Sequence, residues 1–266
     1  MTNAPIGIFD SGIGGLTVAN AIKKVLPHEN IIYYGDTAHL PYGEKSSNSI
    51  QSFSKNITNF LINQNCKAIV IACNSASSVA YNIVKETAEN IPVFNVIEPV
   101  ISFFNNNIKE YHIGVIGTKA TINSNIYTEE LKTKNPDAKV YSLETPLLAP
   151  MIEEGFINGK ISKTIIDNYL SNKILKKINH LILACTHYPL IHNEIDSYYH
   201  QKVKIINSSS IVAKYIKKML GKKNMLSKNR NPNYKFYVSL YTKSFEESAK
   251  FFFEKDVKLK EKKLFV

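Results

Sequence analysis

The chain has 266 residues, 44% hydrophobic and 21% charged, with 33 lysines and arginines against 22 aspartates and glutamates for a formal charge of +11. This length and composition predict one or two globular domains and exclude a disordered chain, and no apolar run approaches the roughly 18 residues that a membrane helix needs. Three cysteines without CxxC spacing, and a start (MTNAPIGIFDSG) without the basic and apolar segments of a secretion signal, indicate a protein of the reducing cytoplasm.

The first part of the chain alternates short apolar runs with segments of helical periodicity. Strands are predicted at residues 6–9, 31–34, 68–72 and 93–97, and helices at residues 16–26 and 46–64. In the second helix Ile50, Ile57 and Phe60 fall on one face, as in an amphipathic helix. Strands that alternate with helices in this way indicate an α/β protein with largely parallel sheets.

The same order begins again near residue 113. Further strands are predicted at residues 113–116, 140–143, 181–184 and 203–206, and further helices at residues 121–132 and 161–175. Asn-Pro and Lys-Asn clusters predict a long loop at residues 221–233. A final strand at residues 234–240 and a helix at residues 244–253 are expected after it.

Two stretches of the first half have counterparts in the second half. IGIFDSG at residues 6–12 resembles IGVIGTKAT at residues 113–121, and AIVIACNSAS at residues 68–77 resembles HLILACTHYP at residues 180–189. The offsets are similar, 107 residues from Ile6 to Ile113 and 112 residues from Cys73 to Cys185. We therefore predict two similar α/β halves. Because ligands gather at the carboxyl ends of strands in open α/β sheets, two facing halves would place Cys73 and Cys185 across one cleft.

Each of these two cysteines is predicted to lie where a strand is followed by a helix. The amino end of a helix carries free N–H groups and a partial positive charge, a setting that lowers the pKa of a thiol and favours the reactive thiolate. His187 lies two residues from Cys185, and Asp10 ends the first strand. These two side chains are candidate proton partners of the two thiols.

Two thiols on opposite faces of one carbon atom can invert its configuration. One thiolate removes a proton while the other thiol delivers one, and the carbanion between them needs hydrogen-bond donors and a water-poor site. The candidate donors and carboxylate-binding groups follow the predicted strands: Ser11, Tyr42, Gly43, Asn74, Ser75, Thr118, Thr121 and Thr186. Without an imine-forming cofactor, these protein groups must provide all of the stabilisation of the carbanion.

Structural explanations of the cysteines stay open. A cysteine at a strand end is often a small buried hydrophobe, and we adopt that interpretation for Cys66. Cys73, Cys185 and His187 could instead bind zinc, although the CxxC spacings typical of structural zinc sites are absent. His187 could also be a buried histidine with a purely structural role.

Structural explanations also exist for two acidic residues and for a glycine-rich run. Asp10 could cap the helix after the first strand, and Glu153, which follows a proline, is predicted to open a helix, where an acid is favourable. The DSGIGG run at residues 10–15 lacks the third glycine of a dinucleotide loop, since Thr17 stands there, and lacks the Gly-Lys-Ser/Thr of a P-loop. Its glycines are expected to allow a tight turn with the backbone close to a ligand.

Five motifs together resemble one enzyme family. They are IFDSGIGGLTV, YYGDTAHLPYGEKS, IVIACNSAS, GVIGTKATI and LILACTHYPL. As a set they are similar to the glutamate racemases of the cofactor-independent aspartate/glutamate racemase superfamily. The resemblance implies two α/β domains, residues 1–97 with 208–266 and residues 98–207, with the active site in the cleft between them. It also implies a cytoplasmic homodimer that makes D-glutamate for peptidoglycan, without a cofactor or metal.

The resemblance implies roles for individual residues as well. Cys73 and Cys185 are the two proton donors and acceptors, Asp10 and His187 assist them, and Glu153 lies near His187. The substrate-binding positions that it implies are Asp10, Ser11, Tyr42, Gly43, Asn74, Ser75, Thr118, Thr121, Thr186 and His187.

Positive charge is concentrated at the carboxyl end of the chain. Residues 214–266 contain 15 basic and 5 acidic residues, net +10, whereas residues 1–213 contain 18 and 17, net +1. Such a segment can bind nucleic acid or an anionic membrane, yet Arg230 is the only arginine in the chain, and arginine is the usual residue for bidentate recognition of phosphates and bases. We predict a solvated basic surface with no nucleic-acid or membrane partner.

Two alternative functions remain. An aspartate racemase would apply the same chemistry to a shorter side chain, although the combination of DSGIGG and CTHYPL favours glutamate. A non-catalytic binding module is the alternative from a different class, and it would not need two equivalent cysteines at strand ends.

Overall fold

The computed structural model describes residues 2–104, 111–253 and 257–264, and within them it contains two sheets of parallel strands. The strands are β1 (Ile6–Asp10), β2 (Ile31–Gly35), β3 (Ala68–Ile71), β4 (Val93–Asn95), β5 (His112–Gly117), β6 (Lys139–Glu144), β7 (His180–Ala184), β8 (Lys204–Ile206), β9 (Tyr234–Val238) and β10 (Leu259–Glu261). Every residue of β1, β2 and β3 is buried, as expected of strands that are covered on both faces of a parallel sheet.

Helices connect the strands and cover the sheets. They are α1 (Leu16–Val25), α2 (Ser47–Asn63), α3 (Asn74–Val79), α4 (Tyr81–Ala88), α5 (Glu98–Phe103), α6 (Lys119–Asn123), α7 (Ile126–Lys134), α8 (Leu148–Glu153), α9 (Lys160–Leu170), α10 (His192–Tyr198), α11 (Ser208–Lys222) and α12 (Lys243–Phe253). Helix α2 begins where the hydroxyl of Ser46 accepts the Ser49 N–H, and it buries Ile50, Ile57 and Leu61 on one face. No helix in the described ranges is long and apolar enough to cross a bilayer.

The two sheets repeat one strand order. The first sheet runs β10-β9-β2-β1-β3-β4 and the second β6-β5-β7-β8, so the order β2-β1-β3-β4 corresponds to β6-β5-β7-β8. The register repeats too, because Ile6 pairs with Ala68 in the first sheet and Ile113 with His180 in the second. These positions differ by the same 107 and 112 residues as the sequence motifs. The prediction of two similar α/β halves with largely parallel sheets is confirmed, whereas the limits of the two domains stay a prediction.

Helix α11 joins the two halves. It packs against α1 beside the first sheet and also contacts α5 and β7. One cluster of buried apolar side chains includes Ile8 of β1, Leu183 of β7 and Ile216 of α11. The halves therefore share apolar contacts, and burial of this surface is the main favourable contribution to holding them together.

Several predicted boundaries were wrong. The helix predicted at residues 121–132 is interrupted, since Asn125 adopts a left-handed conformation (φ 58°) between α6 and α7. The helix predicted at residues 161–175 ends at Leu170, and a short 3-10 turn, Lys173–Leu175, follows it. The loop predicted from residue 221 begins only after α11 ends at Lys222.

Candidate active site

The carboxyl ends of strands from both sheets surround one small cavity of about 40 Å³. Most of the sequence-predicted site residues line it, namely Ser11, Tyr42, Gly43, Cys73, Asn74, Ser75, Thr118, Glu153, Cys185, Thr186 and His187. Of the other two, Asp10 is fully buried at the end of β1, and Thr121 accepts a hydrogen bond from Thr118 (Oγ1 to Oγ1, 3.1 Å). The structure thus brings the predicted residues together, while their roles stay predictions.

Cys73 is held in a buried polar corner of this cavity. It caps α3, where the Ala76 N–H donates to its Sγ at 3.5 Å, and its thiol lies 3.6 Å from the Ser11 hydroxyl oxygen. Burial and the negative charge of Asp10 raise the pKa of Cys73 to about 12, because the hydrogen bonds from Ala76 and Ser11 do not offset them. The helix end does lower the pKa of this thiol through the Ala76 N–H, but burial and Asp10 outweigh it, so the expected net lowering is wrong. Cys73 is a neutral thiol near neutral pH.

Asp10 has one structural oxygen and one unpaired oxygen. Its Oδ2 accepts the N–H groups of Gly12 (3.1 Å) and Gly15 (3.0 Å), and Gly15 is the residue that precedes α1. Its Oδ1 is buried and has no hydrogen-bond partner among the described residues. The capping explanation of Asp10 accounts for one oxygen, and the buried Oδ1 is left unexplained by it.

Cys185 lies on the other side of the cavity, at one end of a chain of polar contacts. Its Sγ is 3.5 Å from His187 Nδ1, and His187 Nε2 is 2.8 Å from Glu153 Oε1. Burial by itself lowers the pKa of His187, but the contacts and charges of Cys185 and Glu153 outweigh burial and hold that pKa well above its usual value. The arrangement favours an imidazolium at His187, in contact with the Cys185 sulfur.

The structure overturns the helix-opening explanation of Glu153. Glu153 is the last residue of α8, not the first, and the carboxyl end of a helix is unfavourable for an acid. The hydrogen bond with His187 accounts for the position of this carboxylate better than helix electrostatics does. The segment after Cys185 also differs from the prediction, since a 3-10 turn, Tyr188–Ile191, follows it before α10 begins.

The first half of the chain supports the His187 side of the site. A Cβ on Gly14 would overlap the His187 ring, coming within 2.6 Å of Nδ1 and 2.8 Å of Nε2, so only glycine leaves room for the ring there. Thr17 Oγ1 lies 2.9 Å from the carbonyl oxygen of Thr186, between the two site residues Cys185 and His187. The catalytic candidates of the second half are thus positioned partly by α1 and the turn before it.

Hydroxyl groups are clustered near the Cys73 side of the cavity. Ser75 Oγ and Thr118 Oγ1 are 2.8 Å apart, a contact that links α3 of the first half to the residue before α6 in the second. The Tyr42 hydroxyl donates to the buried carboxylate of Asp36 at 2.6 Å. The Ser75 and Thr118 hydroxyls can hydrogen-bond a carboxylate, or a carbanion whose charge is delocalised into one, whereas the Tyr42 proton is donated to Asp36.

Sequence reasoning missed three residues that support the site. Asp36 follows the end of β2, so the strand-end rule that selected Asp10 would have found it. Thr17 stands in the GGLTV segment of a quoted motif. Tyr127, whose hydroxyl donates to Asn74, lies on α7, and no sequence pattern marked it.

A metal site was among the alternatives considered for the cysteines and His187. Within residues 2–104, 111–253 and 257–264, no three His, Cys, Asp or Glu side chains are grouped so that they could hold one metal ion.

Comparisons with known proteins point in one direction. The model of the Asp/Glu/hydantoin racemase family matches residues 16–216. A glutamate racemase of Neisseria meningitidis serogroup C is 40% identical over 236 residues, which are 88% of this chain and 87% of that protein. The crystal structure of glutamate racemase from Francisella tularensis in complex with D-glutamate has a TM-score of 0.93 at 42% identity and 99% coverage of both chains. The glutamate racemase of Thermus thermophilus in complex with β-chloro-D-alanine has a TM-score of 0.88 at 32% identity, covering 99% of this chain and 98% of that one.

Proposed function

Since the chain belongs to the glutamate racemases of the Asp/Glu/hydantoin racemase family and is an isomerase, we propose that it interconverts L- and D-glutamate by proton transfer between two cysteines. The observation that carries the proposal is the pair of buried thiols, Cys73 and Cys185, at equivalent strand ends of the two halves and on one cavity. Each thiol has a charged neighbour of its own, Asp10 for Cys73 and His187 for Cys185.

The proposed reaction begins with a thiol at Cys73 and a thiolate at Cys185. Cys73, with its raised pKa, is a thiol that can donate a proton, and Cys185 lies beside His187, whose raised pKa favours an imidazolium. From L-glutamate, the Cys185 thiolate takes the Cα proton and its electron pair stays on Cα. Cys73 then delivers its proton to the opposite face, which yields D-glutamate, a Cys73 thiolate and a Cys185 thiol. The reverse sequence converts D-glutamate, and the assignment of each face to one cysteine follows the family.

The surroundings of the cavity fit a carbanion intermediate. Ser11, Asn74, Ser75 and Thr118 offer hydrogen-bond donors to the substrate carboxylates, and these interactions strengthen in a site that excludes water. A cavity of about 40 Å³ has room for only a few water molecules, so the site must widen to admit glutamate. In the mechanism that we propose, these protein groups stabilise the carbanion without a cofactor.

The cellular role that we propose is the supply of D-glutamate for peptidoglycan synthesis. A reducing cytoplasm suits an enzyme that needs two free cysteines, and Cys66, Cys73 and Cys185 are all unpaired in the structure. We further propose a homodimer that acts on a small amino acid and has no nucleic-acid or membrane partner.

The proposed activity is tested with purified protein dialysed against a chelator and free of pyridoxal absorbance. A coupled assay should detect D-glutamate formed from L-glutamate, and aspartate should be turned over more slowly. Loss of activity on dialysis, with recovery on addition of a metal or pyridoxal phosphate, would contradict cofactor-free catalysis. Faster turnover of aspartate would favour the alternative racemase. A folded, inactive protein would favour the binding module.

The two-cysteine mechanism is tested with Cys73→Ser and Cys185→Ser, which keep the shape but remove the acidic thiol. Each variant should lose racemisation by a factor of roughly 10² to 10⁴ or more, because inversion needs both groups. Elimination from a β-substituted substrate analogue needs only one base. Cys73→Ser should therefore still process the L analogue and Cys185→Ser the D analogue. Equal loss on both enantiomers in both folded variants would refute opposed faces.

A further inference from the structure

A single hydrogen bond from the second half controls the amide of Asn74. The hydroxyl of Tyr127, on α7, donates to Asn74 Oδ1 at 2.8 Å, and both side chains are only 2% exposed. Asn74 lines the cavity beside Cys73, whereas Tyr127 lies behind it, packed in an apolar cluster with Val100, Val115 and others. Tyr127 does not line the cavity, and the hydrogen bond to Asn74 is its direct link to a residue that does.

This bond decides which end of the amide faces the substrate. An asparagine side chain presents an acceptor oxygen at one end and an NH₂ donor at the other. Tyr127 occupies the oxygen, and Asn74 Nδ2 is buried without a hydrogen-bond partner among the described residues. A buried donor without an acceptor is unfavourable, and a carboxylate is the acceptor that compensates it best.

The hydroxyl of Tyr127 stays a donor throughout the pH range of an assay. Burial and the negative charge of Cys185 raise the pKa of Tyr127 far above its usual value. If the amide turned over, the Asn74 oxygen would face the cavity and repel a carboxylate. The hydroxyl would then accept from Nδ2 and leave its own proton among apolar side chains without an acceptor.

We propose that Tyr127 is a positioning residue that holds the Asn74 amide with its NH₂ group toward a substrate carboxylate, so that closure of the two halves completes the binding site. The inference rests on the proposed glutamate racemase activity. It makes the carboxylate subsite depend on both halves, because Asn74 belongs to the first and Tyr127 to the second.

The experiment is a double-mutant cycle of Tyr127→Phe and Asn74→Ala, measured as kcat and KM in both directions. In the unaltered background Tyr127→Phe should raise KM for both enantiomers about 10-fold or more, with a smaller change in kcat, because the lost contact binds substrate and transition state alike. In the Asn74→Ala background Tyr127→Phe should change KM by less than about twofold. An equal effect in both backgrounds, or a fall in kcat with unchanged KM, would overturn the proposal.

Tyr34→Phe is the matched control. The hydroxyl of the buried Tyr34 also donates a partly buried 2.8 Å hydrogen bond, to the carbonyl oxygen of Lys262, but Tyr34 does not line the cavity. This variant should lose similar thermal stability and keep the KM of the unaltered protein. If Tyr127→Phe and Tyr34→Phe raise KM equally, the positioning role is refuted. The unaltered protein distinguishes failure of the proposed function from failure of this inference. If it does not racemise glutamate, the proposed function is wrong. If it does, the double-mutant cycle tests the role of Tyr127 alone.

Discussion

Gly14→Ala tests whether the position of His187 limits catalysis. Gly14 precedes α1 in the first half and faces the His187 ring, and its φ is not in the left-handed region, so alanine is compatible with the backbone. The added methyl group would meet the ring itself. The variant therefore perturbs the Cys185 side of the site without changing any group that takes part in proton transfer.

The size of the effect follows from the contact distances. The new Cβ would lie 2.6 Å from His187 Nδ1 and nearer still to Cε1, and ordinary contact begins at 3.4 Å, so the ring must move by at least about 0.8 Å. Such a movement stretches the 2.8 Å hydrogen bond with Glu153 or the 3.5 Å contact with Cys185 beyond useful length. A displacement of about 1 Å at a catalytic group can cost about 100-fold in rate, and we expect a fall of that order in kcat/KM.

The measurement is kcat/KM for racemisation together with the melting temperature. Because the equilibrium constant of a racemisation is unity, kcat/KM falls equally in both directions and either enantiomer reports the effect. Gly221→Ala in α11 is the control, since its Cβ would lie 3.6 Å from the Leu226 side chain, an ordinary contact, and it should leave activity unchanged. A folded Gly14→Ala protein with the kcat/KM of the control would refute the importance of the ring position.

Three further predictions concern charge and positioning. Glu153→Gln removes a charge that raises the pKa of His187, so the imidazolium should lose its proton at lower pH. The alkaline limb of the pH profile of kcat/KM should therefore move to lower pH, and an unchanged limb would contradict this. Thr17→Val should lower kcat/KM about fivefold by removing the hydroxyl that contacts the Thr186 carbonyl, and Thr17→Ser should not. Residues 214–266 should give the protein only a weak affinity for duplex DNA that disappears as salt rises, whereas binding that persists near physiological salt would refute a merely solvated surface.

Much of the fold could be predicted because its strands are continuous apolar runs that end in small or polar residues. β1, β3, β5 and β7 all have this form, and the repeat of their motifs revealed the two halves. Helices with weak apolar periodicity were missed. The NSASSV segment of α3 is short and polar, and its helix depends on the cap at Cys73 and on packing against neighbouring elements.

From local patterns the candidate site was predictable mainly at its strand ends, and the family resemblance extended the prediction to Glu153. Cys73, Cys185 and Asp10 follow buried strands, and the topology of parallel sheets collects such residues at one edge. Tyr127 escaped notice because its partner, Asn74, is 53 residues away in sequence and lies in the other half. A contact of that kind exists only once the halves are packed together.

The amino-acid sequence by itself determined the α/β class, the repeat of the two halves, the two cysteines at strand ends and the family to which the chain belongs. These features depend on local hydrophobic patterns and motifs. The tertiary structure decided the surroundings of these groups. It raised the pKa of Cys73 by burial beside Asp10, where the helix end alone predicted a lower value, and it placed Glu153 at the end of α8 within reach of His187. Burial and long-range charge depend on the packing of distant segments, which no local pattern in the chain records.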